Sequence, residues 1–373
     1  MDELARWPAL DRGGAAADLA RALAFLHDFA RRRAPVVVPV PGGFGVLDDR
    51  FPGSYDDNKL IVTTDGNALD EGTALAEAAA GESPGRAATG AGPADAGPNG
   101  AAAGEGLDEA AAGAGPGRAT PGEGLGGAFN AGQGEAAVGE SVGRAAGAGS
   151  GGAVVGEGLG GVAGEGLAGA MTAGEESAWR LMAAADEVLA ERRHRLVCVD
   201  DDRLGTACAP AFAAAGYEHE TNLVMVFRGQ IPHDPPQAER LDAAELEPVL
   251  RRDWRRTLPQ APEEVIDGLA RRVEARLRGA DTVGFRGVRT PSGEIAARAD
   301  LYVHGGVAQI ESVFTGEEHR GQGYARSLMR SLLAEARDAE LIFLLADADD
   351  WPRHFYERLG FTEVGRTHAF LRT

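Results

Sequence analysis

Residues 320–361 read RGQGYARSLMRSLLAEARDAELIFLLADADDWPRHFYERLGF. The stretch opens with two glycines in front of a helix, although one Ser or Asp would start a helix at less entropic cost. Behind the glycines, Leu328, Met329, Leu332 and Leu333 recur at helical spacing, which predicts an amphipathic helix over 323–339. LIFLLADA (341–348) is a continuous apolar run, the pattern of a strand buried on both faces. WPRHFYERLG (351–360) predicts a short helix stopped by Gly360, and FTEVG with THAFLRT (361–373) predicts a closing hairpin. In that setting the glycines have a purpose. A bare, glycine-rich turn lets backbone N–H groups converge, and the helix N-terminus adds partial positive charge, so Arg320 to Ala325 is shaped to hold a pyrophosphate. Arg320 adds a charge-assisted donor, and the small Ala325 lets the helix approach closely.

Upstream, ELEPVLRRDWRRTLP (245–259) and PEEVIDGLARRVEARLRG (262–279) carry apolar residues at helical spacing, with Pro262 suited to a first turn. Residues 282–316 then give three alternating strands, broken at PSG (291–293) and HGG (304–306). The predicted order is ααβββαβαββ, an α/β sandwich around a mixed sheet.

These residues resemble the GNAT superfamily of acyl-CoA-dependent N-acyltransferases. Its phosphate loop, [Q/R]-x-x-G-x-[G/A], is matched by Arg320, Gly323 and Ala325, and a second family pattern by FYERLGF (355–361). The loop pattern also fits Arg144 to Gly149, but no strand precedes and no amphipathic helix follows that copy, so context decides. The resemblance covers 237–373 and implies acetyl-CoA as co-substrate, with no metal. It implies that the strand around Val313, Phe314 and Thr315 pairs with the pantetheine arm and polarises the thioester carbonyl. Arg320, Gly321, Gln322, Gly323, Tyr324 and Ala325 would hold the pyrophosphate, and Tyr356 would protonate the departing thiolate. For the general base, Glu311 acting through water stands beside its reading as a solvent-facing strand residue. His319 and His354 flank the site and read as surface histidines. The family often has Asn where Asp349 stands, and Pro352 replaces a small residue. Asp349 could still accept a pantetheine N–H, without the donor that Asn offers.

The N-terminal part reads as a second copy. AFAAAGYEHETNLVMVF (211–227) parallels FYERLGFTEVGRTHAFL (355–371), with HRLVCVDD (194–201) before it and early strands within 35–64. Phe212 stands where Tyr356 stands, so this copy lacks the hydroxyl. It is expected to bind no coenzyme, to serve as scaffold, and to offer Ser54 to Asn58 as a pocket wall; a capped turn explains those residues equally.

Between its two pieces lies 66–176, which holds 33 of the chain's 54 Gly and, with 15 acidic residues against 3 Arg, −12 of its net charge of −20. GEGL recurs at 104, 122, 156 and 164 with no fixed period, and such a stretch buries too little apolar surface to offset ordering. Disorder is expected there. The fold class is thus α/β, two GNAT-like mixed-sheet domains in tandem: 1–65 with 177–228, interrupted by 66–176, then 237–373.

With no basic stripe, no nucleic-acid partner is expected. With no apolar run near 18 residues, no membrane partner is expected, and two cysteines without a disulfide framework (Cys198, Cys208) suit a cytoplasmic protein. The preponderance of Arg over Lys, with Lys59 the sole lysine, fits GC-rich bacterial coding. The leading function is acetyl transfer to a primary amine of a small molecule or peptide, by direct attack in a ternary complex. The alternatives are a non-catalytic acyl-CoA sensor or scaffold, and an interaction protein working through 66–176. The sequence leaves the acceptor, acyl length and oligomeric state open.

Overall fold

The computed structural model describes residues 12–63 and 171–373. The first half supplies α1 (Arg12–Arg33), β1 (Val36–Val40), β2 (Gly43–Leu47), β3 (Lys59–Val62), α2 (Ala173–Val188), β4 (Arg195–Val199), α3 (Asp202–Ala214) and β5 (Glu218–Phe227). The second supplies β6 (Glu239–Leu241), α4 (Ala243–Thr257), α5 (Glu263–Arg271), α6 (Val273–Arg276), β7 (Thr282–Arg289), β8 (Ile295–His304) and β9 (Val307–Thr315). It ends with α7 (Tyr324–Glu335), β10 (Leu341–Asp347), α8 (Pro352–Leu359) and β11 (Phe361–Arg372).

These strands form one eleven-stranded mixed sheet in the order β1-β2-β3-β4-β11-β5-β10-β9-β8-β7-β6. The unit β3-α2-β4-α3-β5 repeats as β9-α7-β10-α8-β11, but the last strand of each unit sits against the other half. Phe370 of β11 pairs with Val197 of β4, and Val226 of β5 pairs in the matching way with Phe343 of β10. The exchange moves core residues with it. Phe370 is fully buried among α2 and α3, while Leu223 and Met225 of β5 are buried under α7 and α8. Side chains of this size contribute ~1.5–3 kcal/mol each when buried, so the exchange locks the halves together. On the opposite face, α1 reaches across the seam: Phe29 stacks on Tyr302 at 4.5 Å, and Phe25 meets the edge of Phe343 at 5.5 Å.

Four expectations are corrected. The closing hairpin is a single strand, β11, with a bulge between Glu363 and Gly365. Gly365 lacks a side chain because Leu19 lies where its Cβ would be, 2.5 Å away. Residues 171–176 belong to structure: Thr172 and Glu175 form a capping box that starts α2 at Ala173. The expectation of disorder for 66–170 lies outside the described residues. The second helix of the C-terminal half breaks at Arg272, where α5 passes into α6 so that the buried Arg272 and Arg276 reach separate carboxylates. A short strand, β6, precedes the two helices that were expected to open this half.

Candidate active site

β9 and β10 run parallel and are paired only at Val307–Leu341, Ala308–Ile342 and Gln309–Phe343. Beyond that point they part. The matching strands of the first half do not: β3 and β4 stay paired through Ile61–Cys198 and Val62–Val199, and the Asp200 N–H donates to Val62 O at 3.0 Å. The divergence begins at a bulge. Ser312 has φ +56°, the one positive φ of a non-glycine among the described residues, and the β8–β9 register shifts there. Residues 311–315 keep β8 on one edge, at Asp300–Glu311, Arg298–Phe314 and Ala297–Thr315, and leave the other edge unpaired with β10.

At the end of β9 lies the glycine loop. Gly321 has φ +73° and Gly323 φ +86°, and a Cβ on either would meet nothing within 4 Å. The glycines are therefore required by conformation, with open space above them. Gly323 is the N-cap of α7, and no side chain caps that helix, so its first N–H groups face outward unclaimed. Gln322 turns back to donate from Nε2 to Glu318 O at 2.9 Å, and Arg320 Nε donates to Thr315 O at 3.4 Å, tying loop to strand. Val313 is buried in the α7–α8 core, Phe314 lies under the Arg298 guanidinium at 4.7 Å, and Tyr324 meets His319 edge-on. Ala325 packs half-buried against the same core. Ser312 Oγ and Thr315 Oγ1 are buried without a hydrogen-bond partner among the described residues. An uncapped helix N-terminus, open glycines and two orphaned hydroxyls beside a bare strand edge fit a phosphorylated, amide-bearing arm such as that of acyl-CoA.

Residues 245–361 match the sequence profile of the acetyltransferase (GNAT) family. This stretch is a GNAT-family domain. Similar solved structures include a GNAT-family protein from Novosphingobium aromaticivorans, with 24% identity over 41% of this chain and 64% of that one and a TM-score of 0.31. A GCN5-related N-acetyltransferase from Kribbella flavida gives 19% identity, 53% and 75% coverage and a TM-score of 0.36. A tandem GNAT protein from the clavulanic acid biosynthesis pathway gives 18%, 52% and 67%, and 0.37. The chain spans less than two thirds of the first of these. No curated protein matches it.

Within the GNAT domain, Tyr356 is buried on α8, and no described residue hydrogen-bonds to its hydroxyl. Burial first, then the charges of Glu311 and Asp350, push its phenol well above the ordinary value of 10. Glu311 therefore lies near enough to Tyr356 for its charge to act on the phenol. Asp349 lies exposed on the loop after β10, its N–H donating to Asp347 Oδ1 at 2.8 Å. Glu311 is half-buried and accepts from Gln309 Nε2 at 2.7 Å. Burial, then the charge of Asp56, raises its carboxyl to about 8, against the opposing effect of Arg276.

Glu311 also lines a cavity of about 290 Å³ between the sheet and α1, α4, α5 and α6. The Ser54–Asn58 turn divides between a hydrogen-bonded turn and the cavity lining. Ser54, Asp57 and Asn58 are buried, with Ser54 Oγ donating to Asp57 at 2.6 Å and Asn58 Nδ2 to the carbonyls of Phe51 and Ser54. Tyr55 and Asp56 face the cavity. Sequence reasoning passed over Glu220 and Asn222 of β5, which line it too. Their signal was a polar run, EHETN (218–222), at the start of an otherwise apolar strand. Phe212, the counterpart of Tyr356, is fully buried and stacked on Phe370 at 4.2 Å.

Proposed function

We propose that the protein is an N-acetyltransferase that binds acetyl-CoA in its C-terminal half and passes the acetyl group to a primary amine in a ternary complex. The divergence of β9 from β10 directly beside the uncapped N-terminus of α7 carries this reading. Bound acetyl-CoA supplies the thioester. Arg320 and the N–H groups from Gly321 to Ala325 take its pyrophosphate, and the free edge of Val313 to Thr315 takes the pantetheine amides. N–H donors of that edge, fixed by β8, aim at the acyl oxygen, where charge grows in the reaction. Glu311 removes the amine proton, directly or through one water. Tyr356 delivers a proton to the departing sulfur; the burial that raises its phenol raises the thiol as well, which keeps the transfer close to balanced. Asp349, on the loop after β10, is left as a pantetheine contact.

No described helix is long and apolar enough to cross a membrane. Two free cysteines fit a cytoplasmic setting, and a small molecule or peptide amine is the acceptor class. The test is CoA thiol release from acetyl-CoA over a panel of amines, with wild type and Tyr356→Phe. Amine-dependent release that drops in the variant supports the enzyme. Acetyl-CoA binding with no release for any amine contradicts it and favours a sensor.

A further inference from the structure

The cavity lining crosses the sheet from Tyr302 on β8 to Ile61 on β3, with β9, β10, β5, β11 and β4 between. Six strand spacings make that roughly 29 Å. A cavity of about 290 Å³ drawn out over that length is narrow, with room for one unbranched chain. Its charges are unevenly matched. Arg33 lies 3.5 Å from Asp57, Arg276 2.7 Å from Asp300 and Arg272 2.5 Å from Asp56, which Lys59 shares at 3.5 Å. Asp200 meets His27 at 2.5 Å. Among the described residues, Glu311 and Glu220 have no cation in ion-pair contact, and they come from different halves of the chain.

Two buried polar atoms beside these carboxyls also lack partners. Ser312 is 3% exposed and Asn222 9% exposed, and neither Ser312 Oγ nor Asn222 Oδ1 has a hydrogen bond among the described residues. Asn222 stands two residues from Glu220, on the same face of β5. Its oxygen is left to accept from something else in the cavity.

We propose that the acceptor is an unbranched molecule carrying two cationic amines, and that Glu220 with Asn222 holds the amine that does not react while Glu311 receives the one that does. This rests on the acyltransferase reading above. Two strand spacings separate β9 from β5, and the register sets Glu220 four residues along from the level of Glu311, so the two positions lie roughly 16 Å apart and the nitrogens are spaced to suit. The first half, lacking the hydroxyl and the parted strands, then contributes specificity: strand exchange carries Glu220 to the second half's site. Burial, and then the charge of Asp347, lifts the Glu220 carboxyl to about 7, so a bound second cation draws its proton off.

The experiment compares homologous α,ω-diaminoalkanes with monoaminoalkanes of equal length, in wild type, Glu220→Gln and Glu220→Asp. Calorimetry reads binding and thiol release reads turnover. Wild type is expected to favour diamines, with one best length. Glu220→Gln should weaken diamine binding and raise its KM by about 10- to 100-fold, with kcat, monoamine KM and acetyl-CoA affinity little changed. Glu220→Asp, one methylene shorter, should move the best length upward. Equal affinity for diamines and monoamines in wild type, or diamine binding indifferent to Glu220→Gln, overturns the proposal. Diamine binding that depends on Glu220 upholds the anchor even without turnover, in which case the acyltransferase reading alone fails.

Discussion

Asp56 of the first half and Arg272 of the second meet at 2.5 Å over the cavity that Glu311 lines. Burial on its own would raise the Asp56 carboxyl. Arg272, then Lys59 and Arg33, outweigh it and hold the group far below its usual value of 3.8. A depressed acid stabilises the fold above its unfolded value, and the effect is lost as pH falls below that value. Asp56→Asn should therefore cost about 1–3 kcal/mol at pH 7, a figure reduced because 39% of the side chain is accessible within the cavity. Urea denaturation at pH 7 and below pH 3.8 checks it: the gap between variant and wild type should narrow in acid.

Tyr356→Phe removes a hydroxyl that no described residue engages, so folding and coenzyme binding should survive the change. Loss of a positioned acid predicts a fall in kcat of about 10²-fold. Stopped-flow thiol release with calorimetric acetyl-CoA affinity separates the two effects. A large loss of affinity with unchanged kcat would make Tyr356 a packing residue.

Glu311, raised from 4.5 to about 8, predicts that kcat/KM climbs with pH and levels off near pH 8, and that Glu311→Gln loses this limb. Stability should move the other way. Between 4.5 and 8 the folded state holds a proton that the unfolded state has released, so wild type weakens as pH rises through that window. The Tm advantage of Glu311→Gln should grow from pH 5 to pH 8.

The first half should not acquire activity by gaining a hydroxyl. Phe212→Tyr in a Tyr356→Phe background should stay as inactive as Tyr356→Phe alone, because β3 and β4 remain paired where β9 and β10 part. Recovery of thiol release would mean that the strands part there.

What the sequence displayed was whatever local chemistry enforces. Gly321 and Gly323 announced the loop because only glycine tolerates those φ values at so little cost, and LIFLLADA announced a strand covered on both faces. Thr172 and Glu175 carried the signature of a capping box, but it was submerged in a Gly/Ala-rich stretch. Gly365 looked like a turn, whereas its smallness answers Leu19 from a helix far away in sequence. The exchange of β5 and β11 left no local trace, since which edge a strand joins is decided by tertiary packing. The cavity depends on that exchange, and so Glu220 and Asn222 could be read as strand residues but not as part of a site. The bulge at Ser312 was equally silent, because serine is no marker of a positive φ.

The central claim, one coenzyme site in the C-terminal half, is tested most directly by calorimetric titration of acetyl-CoA into wild type and into the double variant Arg320→Ala/Gly323→Asp. One site per chain is expected in wild type and none in the variant. Two sites, or a site that survives the double substitution, would contradict the assignment to the glycine loop, and no binding to wild type would contradict the acetyltransferase itself.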